Sequence, residues 1–318
     1  MVKVIPGIPN LFSDLGSDGQ VLKKYGKRKI PSDDDDTVST KKPDEIVVDA
    51  AGNGDFKTIA AGLTELGASA GTIRVLAGIY PITSTLTLGA NQTIFGSGYG
   101  TNITTTSDIT LVNLNGNRSS IFMCRVDGNS TGSSQLGITV GGDECVIRNC
   151  WITQIGDIGI NIEDGSDRVV IEGCVIKDCG DRCLHLLGDK FMVSDCVIEN
   201  SADDGIAMTS ADFGSIIGNK ITSHGEHGID MVSCSQTCIV GNYIYSNGDN
   251  NNNGTGIDMG PSCNDTCVTG NILHTNDGYG INVSGSATVL VGNSILNNED
   301  GGINDTGVGT VSTGNAVP

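Results

Sequence analysis

Four short stretches concentrate the side chains that could do chemistry: Asp157, Asp181, the pair Asp203-Asp204, and Glu226-His227. Each stands just before the same local mark, Gly-Ile or a near copy of it: Gly159-Ile160, Cys183-Leu184, Gly205-Ile206 and Gly228-Ile229. A second set follows that mark by one residue: Asn161, His185, Ala207, Asp230, Asp258, Asn282 and Asn304. Carboxylates gathered with a histidine are the raw material of general acid–base catalysis, because burial and neighbouring charge can part their pKa values. If Asp230 and Asp258 lie on adjacent layers, about 5 Å apart, they share a proton, bind a hard cation such as Ca²⁺, or form the carboxyl pair of a retaining glycosidase. Asp181, Asp203, Asp204 and His227 are therefore the candidate catalytic residues. Asp230, Asp258 and His185 are candidate ligand-binding groups, with Asp230 and Asp258 as the Ca²⁺ pair; no other cofactor is implied. Tyr243, Tyr245 and Tyr279 could offer a sugar-stacking platform. The same acids and tyrosines also suit the solvated turns and strand faces of a repeat.

Such residues act together only if something stacks them, and the chain supplies it. From residue 145 onward the sequence repeats roughly every 22 to 24 residues, a period that signals a solenoid. One mark is an Asn-type corner: Asn149, Gly173, Asp195, Asn219, Asn242, Asn271, Asn293 and Asn315. The Gly-Ile mark follows ten or eleven residues later in most repeats, continuing through Gly256-Ile257, Gly280-Ile281 and Gly302-Ile303. Apolar runs between the marks are short and β-branched, as in Val169-Val170-Ile171, and are separated by Gly, Asn, Asp and Ser. About 23 residues with three short strands and three corners make one coil of a parallel β-helix, with equivalent residues about 4.8 Å apart. Two residues past the corner, Trp151, Val175, Val197, Ile221, Ile244, Leu273 and Ile295 are expected to stack inward. Five past it, Asn200, Asn247, Asn276 and Asn298 are expected to form an amide ladder.

Charge narrows the partners. The 318-residue chain has a formal net charge of −19, yet residues 1–45 hold eight of its 18 basic residues, and none follows Lys220. An acidic body repels nucleic acid and bare polyanionic glycans, and accepts a neutral glycan or a Ca²⁺-bridged contact. No apolar run reaches the length of a membrane span, and the first thirty residues show no signal peptide. Of the eleven cysteines, Cys150, Cys174 and Cys196 recur at one place on successive coils as a thiol column. Cys179/Cys183, Cys234/Cys238 and Cys263/Cys267 are spaced to staple turns as disulfides or to fill the core as thiols. Eight N-x-S/T sequons are present.

Residues 1–45, with Pro6, Pro9, a lysine-rich patch and the run Asp33 to Asp36, read as an extended arm or linker and a docking segment. Residues 46–318 form the β-helix. Phe56 to Leu66 is the amphipathic helix expected to cap its open end, with Ile59, Leu63 and Leu66 on one face. Strands are expected around Thr72–Val75, Gln92–Phe95 and Ile109–Val112.

The stretch VVDAAGNGDFKTIAAGL (47–63), followed by GTIRVLAGIYPITSTLTLGANQTIFGSG (71–98), resembles the opening of pectin-lyase-like right-handed β-helix proteins. The resemblance covers about residues 46–318 and implies an all-β, single-stranded, right-handed parallel β-helix. The superfamily spans pectate lyases, pectinesterases, polygalacturonases, phage tailspikes and adhesins, so it does not decide function. Polygalacturonases carry N-T-D, D-D, H-G and R-x-K in turn. Asp203-Asp204-Gly205 and His227-Gly228 match the second and third places, while Asp181-Arg182-Cys183 stands at the first and no basic pair follows Lys220. A leading arm before a β-helix is similar to tailspikes and other virion attachment proteins. The expectation is thus a virion or cell-surface attachment protein, self-associating as a trimer, docked to a larger assembly through residues 1–45, with a glycan or neighbouring subunit as its contact. The alternatives are a polysaccharide hydrolase and a secreted, glycosylated surface-layer protein or adhesin.

Overall fold

The structure, a computed structural model, describes residues 45–130, 132–248 and 253–317. The expected arm, apart from Glu45, lies outside the described residues. From Glu45 the chain winds a right-handed parallel β-helix of about 11 turns. Its three sheets contain 12, 10 and 10 strands. The first runs from Glu45–Val48 to Val311–Thr313, the second from Gly78–Ile82 to Ser294–Leu296, the third from Leu86–Leu88 to Gly301–Asp305. One coil is Val146–Arg148, Trp151–Ile155 and Ile160–Ile162, one strand per sheet. No helix among the described residues is long and apolar enough to cross a membrane.

A three-residue strand alternates faces, so in the first sheet only the central residue points inward. Those residues stack in register as Ile121, Ile147, Ile171, Val193, Ile216, Ile239, Val268 and Leu290, all fully buried. Burying each such side chain stabilises the fold by roughly 1.5–3 kcal/mol.

The corner between the first and second sheets shows a one-residue slip in the sequence reading. Asn149, Gly173 and Asp195 occupy the left-handed position (φ 53°, 62° and 53°), in line with Gly218, Gly241, Gly270 and Gly292 (φ 63–67°), not with Asn219. A slip of one residue exchanges the two faces of a strand. Trp151, Val175 and Val197 are accordingly half-buried on the outer face, paired in register with Lys220, Tyr243 and Ile272. The inward stack is Ile152, Ile176, Ile198, Ile221, Ile244, Leu273 and Ile295.

Correctly aligned, the thiol column Cys150, Cys174, Cys196 runs straight into the asparagines. The Cys174 N–H donates to Cys196 Sγ, and the Cys196 N–H to Asn219 Oδ1. From there Asn219, Asn242, Asn271, Asn293 and Asn315 form a continuous amide ladder. Each Nδ2 donates at 2.9–3.0 Å to a carbonyl of the preceding coil, starting with Val193 and Ile216, and the first four donate as well to the Oδ1 of the next asparagine.

A second ladder, Asn247, Asn276 and Asn298, lines the corner between the second and third sheets. Asn200 does not belong to it: with φ 61° it holds the left-handed place one residue earlier and donates to Asp178 Oδ1. The ladder is continued instead by His224, whose N–H donates to Asn247 Oδ1.

The helix spans Ile59–Leu66, shorter than expected because Thr58 caps it by accepting the Ala61 N–H and Phe56 bridges to Val48. Ile59 and Leu66 are buried and Leu63 is half-buried. The Cβ-less Gly62 lets the helix sit close to Ile46, Val48 and Ile73 of the first coil. The early strands are Gly71–Val75 and Gln92–Phe95; the third is Val112–Leu114, three residues later than expected, after Leu111 has turned inward.

All eleven cysteines are free thiols, and nine are buried. In two of the spaced pairs the near neighbours are vertical, Cys238 pairing in register with Cys267 and the Cys234 N–H donating to Cys263 Sγ, while Cys179 and Cys183 meet within one turn as buried thiols. The spaced pairs therefore do not staple turns. A thiol reagent applied to the native protein is expected to modify Cys238, which is exposed, and more slowly Cys267, and to reach the other nine only after denaturation. Rapid loss of more than two thiols per chain under native conditions would mean that the interior is not packed as described.

Candidate functional site

The chemistry-bearing residues line the corner that leads into the third sheet and the outer face of that sheet. In the corner, backbone hydrogen bonds stack Asp157, Asp181, Asp203 and Glu226, each N–H donating to the carbonyl one coil back at 3.0–3.2 Å. The next residue of each turn gives a parallel column of Arg182, Asp204 and His227. On the sheet itself Asn161, His185, Ala207, Asp230, Asp258, Asn282 and Asn304 lie in register across seven strands. Asp203-Asp204-Gly205 and His227-Gly228 thus sit on neighbouring coils.

Arg182 holds the corner together. Its Nη1 lies 3.1 Å from Asp181, its Nη2 2.6 Å from Asp203 and its Nε 3.4 Å from Asp204. Asp204 is only 3% exposed, and its Oδ1 accepts the His227 N–H at 3.1 Å. Burial, then the charges of Asp203 and Asp230, push its carboxyl up to about 7. Burial likewise raises Asp157, Asp181 and Asp203, with Arg182 opposing in each case. Asp230 is raised by burial, with Asp258 adding to the shift.

The two histidines are held as opposite tautomers. His227 Nδ1 accepts the Thr255 N–H at 3.0 Å, which puts the ring proton on Nε2. His185 Nδ1 donates to Asn161 Oδ1 at 3.1 Å, leaving Nε2 with its lone pair. Burial, then Arg182, lowers the His185 pKa and favours the neutral ring.

Among the described residues, one cluster brings three possible ligand atoms within 4.8 Å of one another: Asp204, Glu226 and His227. It does not fit a metal ion as arranged. The His227 tautomer turns a proton, not a lone pair, outward at Nε2, and both Asp204 oxygens already accept hydrogen bonds. Asp230 and Asp258 are register partners, as a Ca²⁺ pair requires, and Asp258 Oδ1 also accepts the Asn282 side-chain amide at 2.5 Å.

Beside the acid column runs an open groove of about 670 Å³. Gly156, Gly180 and Ala202 line it, each immediately preceding Asp157, Asp181 or Asp203, and the other lining groups include Ser130, Asp178 and Asn200.

The tyrosines divide. Tyr243 and Tyr245 share the outer face of the second sheet, 4.8 Å apart between ring centres, whereas Tyr279 lies on the third. Tyr245 has the His274 ring stacked on it at 5.1 Å and the Lys220 ammonium 5.6 Å from its centre. That leaves Tyr243, 40% exposed, as the more open ring.

Two participants escaped the sequence reading. Arg182 stood in view as a departure from a motif; its signal is that it shares the turn position of Asp204 and His227. His224 is wholly buried, with Nδ1 2.6 Å from Ser201 Oγ and Nε2 3.2 Å from the Ile198 carbonyl.

A family model described as "Right handed beta helix region" matches residues 188–317. No curated protein sequence matches the chain. Among solved structures it is similar to the A-module of the mannuronan C-5 epimerase AlgE4 from Azotobacter vinelandii, at 16% identity over 76% of this chain and 72% of that one, TM-score 0.66. It is similar to the Dettilon tailspike protein at 16% identity, covering 81% of this chain and 61% of that one, TM-score 0.62. An alginate lyase from a Paenibacillus species is similar at 14% identity, 83% of this chain and 98% of that one, TM-score 0.62. At these identities the likeness is one of fold.

Proposed function

We propose that this chain, which has the right-handed parallel β-helix fold of the pectate-lyase-like proteins, is a glycan-engaging β-helix of a virion or cell surface. The polysaccharide lies in the groove beside Arg182. One arrangement supports this above all: a groove floored by Gly156, Gly180 and Ala202 opens along a column of half-buried carboxylates locked to one guanidinium. Acids that merely solvate a turn point into water with ordinary pKa values; these do not. Similar structures that include a tailspike, an alginate lyase and a mannuronan epimerase agree with a surface made for long glycans. Docking through residues 1–45 and association into trimers complete the reading, and the acidic body argues against nucleic acid as partner.

A second reading, hydrolysis of the bound glycan, is favoured by Asp204. A carboxyl held near neutrality can donate a proton to a leaving oxygen, and Asp203 or Asp230 would then act as the partner carboxylate. His227, with its proton on Nε2, would donate a hydrogen bond to the sugar. Retention of the full chain on immobilised polysaccharides, with reducing ends counted in parallel, separates the two readings. For an attachment protein, binding occurs without new reducing ends, and a D203N/D204N variant loses at least about tenfold in affinity. Reducing ends released by the native chain and reduced about a hundredfold in the variant would install the hydrolase reading. Neither binding nor cleavage on any glycan would defeat both.

A further inference from the structure

We infer that the site selects uncharged glycans over their carboxylated counterparts, and that the engagement of Arg182 by Asp181, Asp203 and Asp204 sets this preference. The inference rests on the glycan reading above and names the chemical class of its ligand.

A uronate needs a cation with free N–H donors, and arginine serves best by presenting two of them side by side. Arg182 is the cation of this corner, but each of its three nitrogens already faces a carboxylate: Nη1 faces Asp181, Nη2 Asp203 and Nε Asp204. Lys177, the nearest basic residue in sequence, is 3.2 Å from Asp178, and no Lys or Arg follows Lys220. Among the described residues no basic side chain lines the groove; Ser130, Ser133 and Asn200 offer neutral donors and acceptors, and Asp178 is its one carboxylate. A sugar carboxylate placed there meets Asp178 and the acid column behind it with every nearby cation already paired, whereas a hydroxymethyl group at the same carbon meets hydrogen-bonding partners of both kinds.

Matched pairs of oligosaccharides test the point, because their members differ only in the oxidation of C6. Suitable pairs are β-1,4-mannohexaose with β-1,4-hexamannuronate, and cellohexaose with a β-1,4-glucuronate hexamer. Binding of the full chain to each is measured by calorimetry at about 20 mM and about 500 mM NaCl. The neutral member of the pair that binds is expected to bind at least about tenfold more tightly at low salt, with the gap narrowing at high salt. D181N, which releases Nη1, and independently D203N, which releases Nη2, should each shrink the low-salt gap by about tenfold. A uronate bound as tightly as its neutral partner by the native chain, or a gap unchanged in both folded variants, overturns this inference and leaves the glycan reading standing. Binding to no member of either pair, nor to any polysaccharide of the retention experiment, removes the glycan reading and this inference with it.

Discussion

Replacing Asn242 by leucine is expected to cost about 4 kcal/mol of unfolding free energy, far more than its modest change in volume would suggest. The side chain is 1% exposed and serves four groups at once. Its Oδ1 accepts both the N–H and the Nδ2 of Asn219, and its Nδ2 donates to the Ile216 carbonyl and to Asn271 Oδ1. Leucine strands the buried Asn219 N–H and takes one bond each from the Asn219 amide, the Ile216 carbonyl and Asn271 Oδ1, and a stranded group costs about 1–3 kcal/mol, less than additively. Trimming a methyl group from the neighbouring inward stack, as in Ile244→Val, removes apolar contact only and should cost about 1 kcal/mol. Urea denaturation of the two variants beside the native chain makes the comparison. Because each coil leans on its neighbours, the leucine variant is also expected to unfold less cooperatively, the coils on either side of residue 242 separating into two transitions. A loss below about 1 kcal/mol for Asn242→Leu would mean that the ladder contributes little beyond filling space.

The ladder also explains why the sequence was legible in one column and misleading in another. The Gly-Ile marks place a residue without a side chain beside an inward isoleucine, a combination that tolerates little substitution, so the column from Asn161 to Asn304 could be aligned across seven coils without error. At the other corner two adjacent positions ask for overlapping residue types. The left-handed position accepts Gly, Asn or Asp, and the buried position after it accepts Asn or Cys, because a thiol sulfur can take the N–H of the preceding coil as Asn219 Oδ1 does. Matching asparagine to asparagine therefore joined Asn149 to Asn219 across a one-residue offset and turned Trp151 inward on paper. Arg182 was hidden for a different reason. Its role depends on carboxylates 21 and 22 residues away in sequence, and nothing local separates an arginine that clamps two coils from one that dangles in water. The tautomers of His185 and His227 lie further still from the sequence, since each is fixed by one partner on another coil.

His224→Asn should extend the second ladder by one rung and, in doing so, expose a pH dependence that the native chain conceals. In the native coil burial lowers the His224 pKa to about 3, whereas an unfolded histidine titrates near 6.5. Between those values the unfolded chain binds the extra proton, so this group makes stability rise with pH and lose ground as pH falls through that window. Asp204 acts in the opposite sense. Its folded pKa of about 7 lies above the unfolded value near 3.9, so the folded chain binds the extra proton between them, and its contribution, full below about 4, is lost as pH climbs through 7. From about pH 4 to 6.5 the two slopes, each at most about 1.4 kcal/mol per pH unit, oppose one another, and these groups leave the native chain nearly level. Asparagine at 224 would accept the Ser201 N–H and donate toward Asn247 as Asn247 does toward Asn276, without titrating. Of the two, only the Asp204 slope then remains, and the raised carboxyls of Asp157, Asp181, Asp203 and Asp230 lean the same way. The variant should be most stable near pH 4 and lose at least about 3–4 kcal/mol by pH 7, and adding D204N should remove the largest single part of that slope. Urea midpoints measured at half-unit intervals from pH 4 to 8 decide the matter; a variant as level as the native chain would show that His224 and Asp204 do not counterbalance each other.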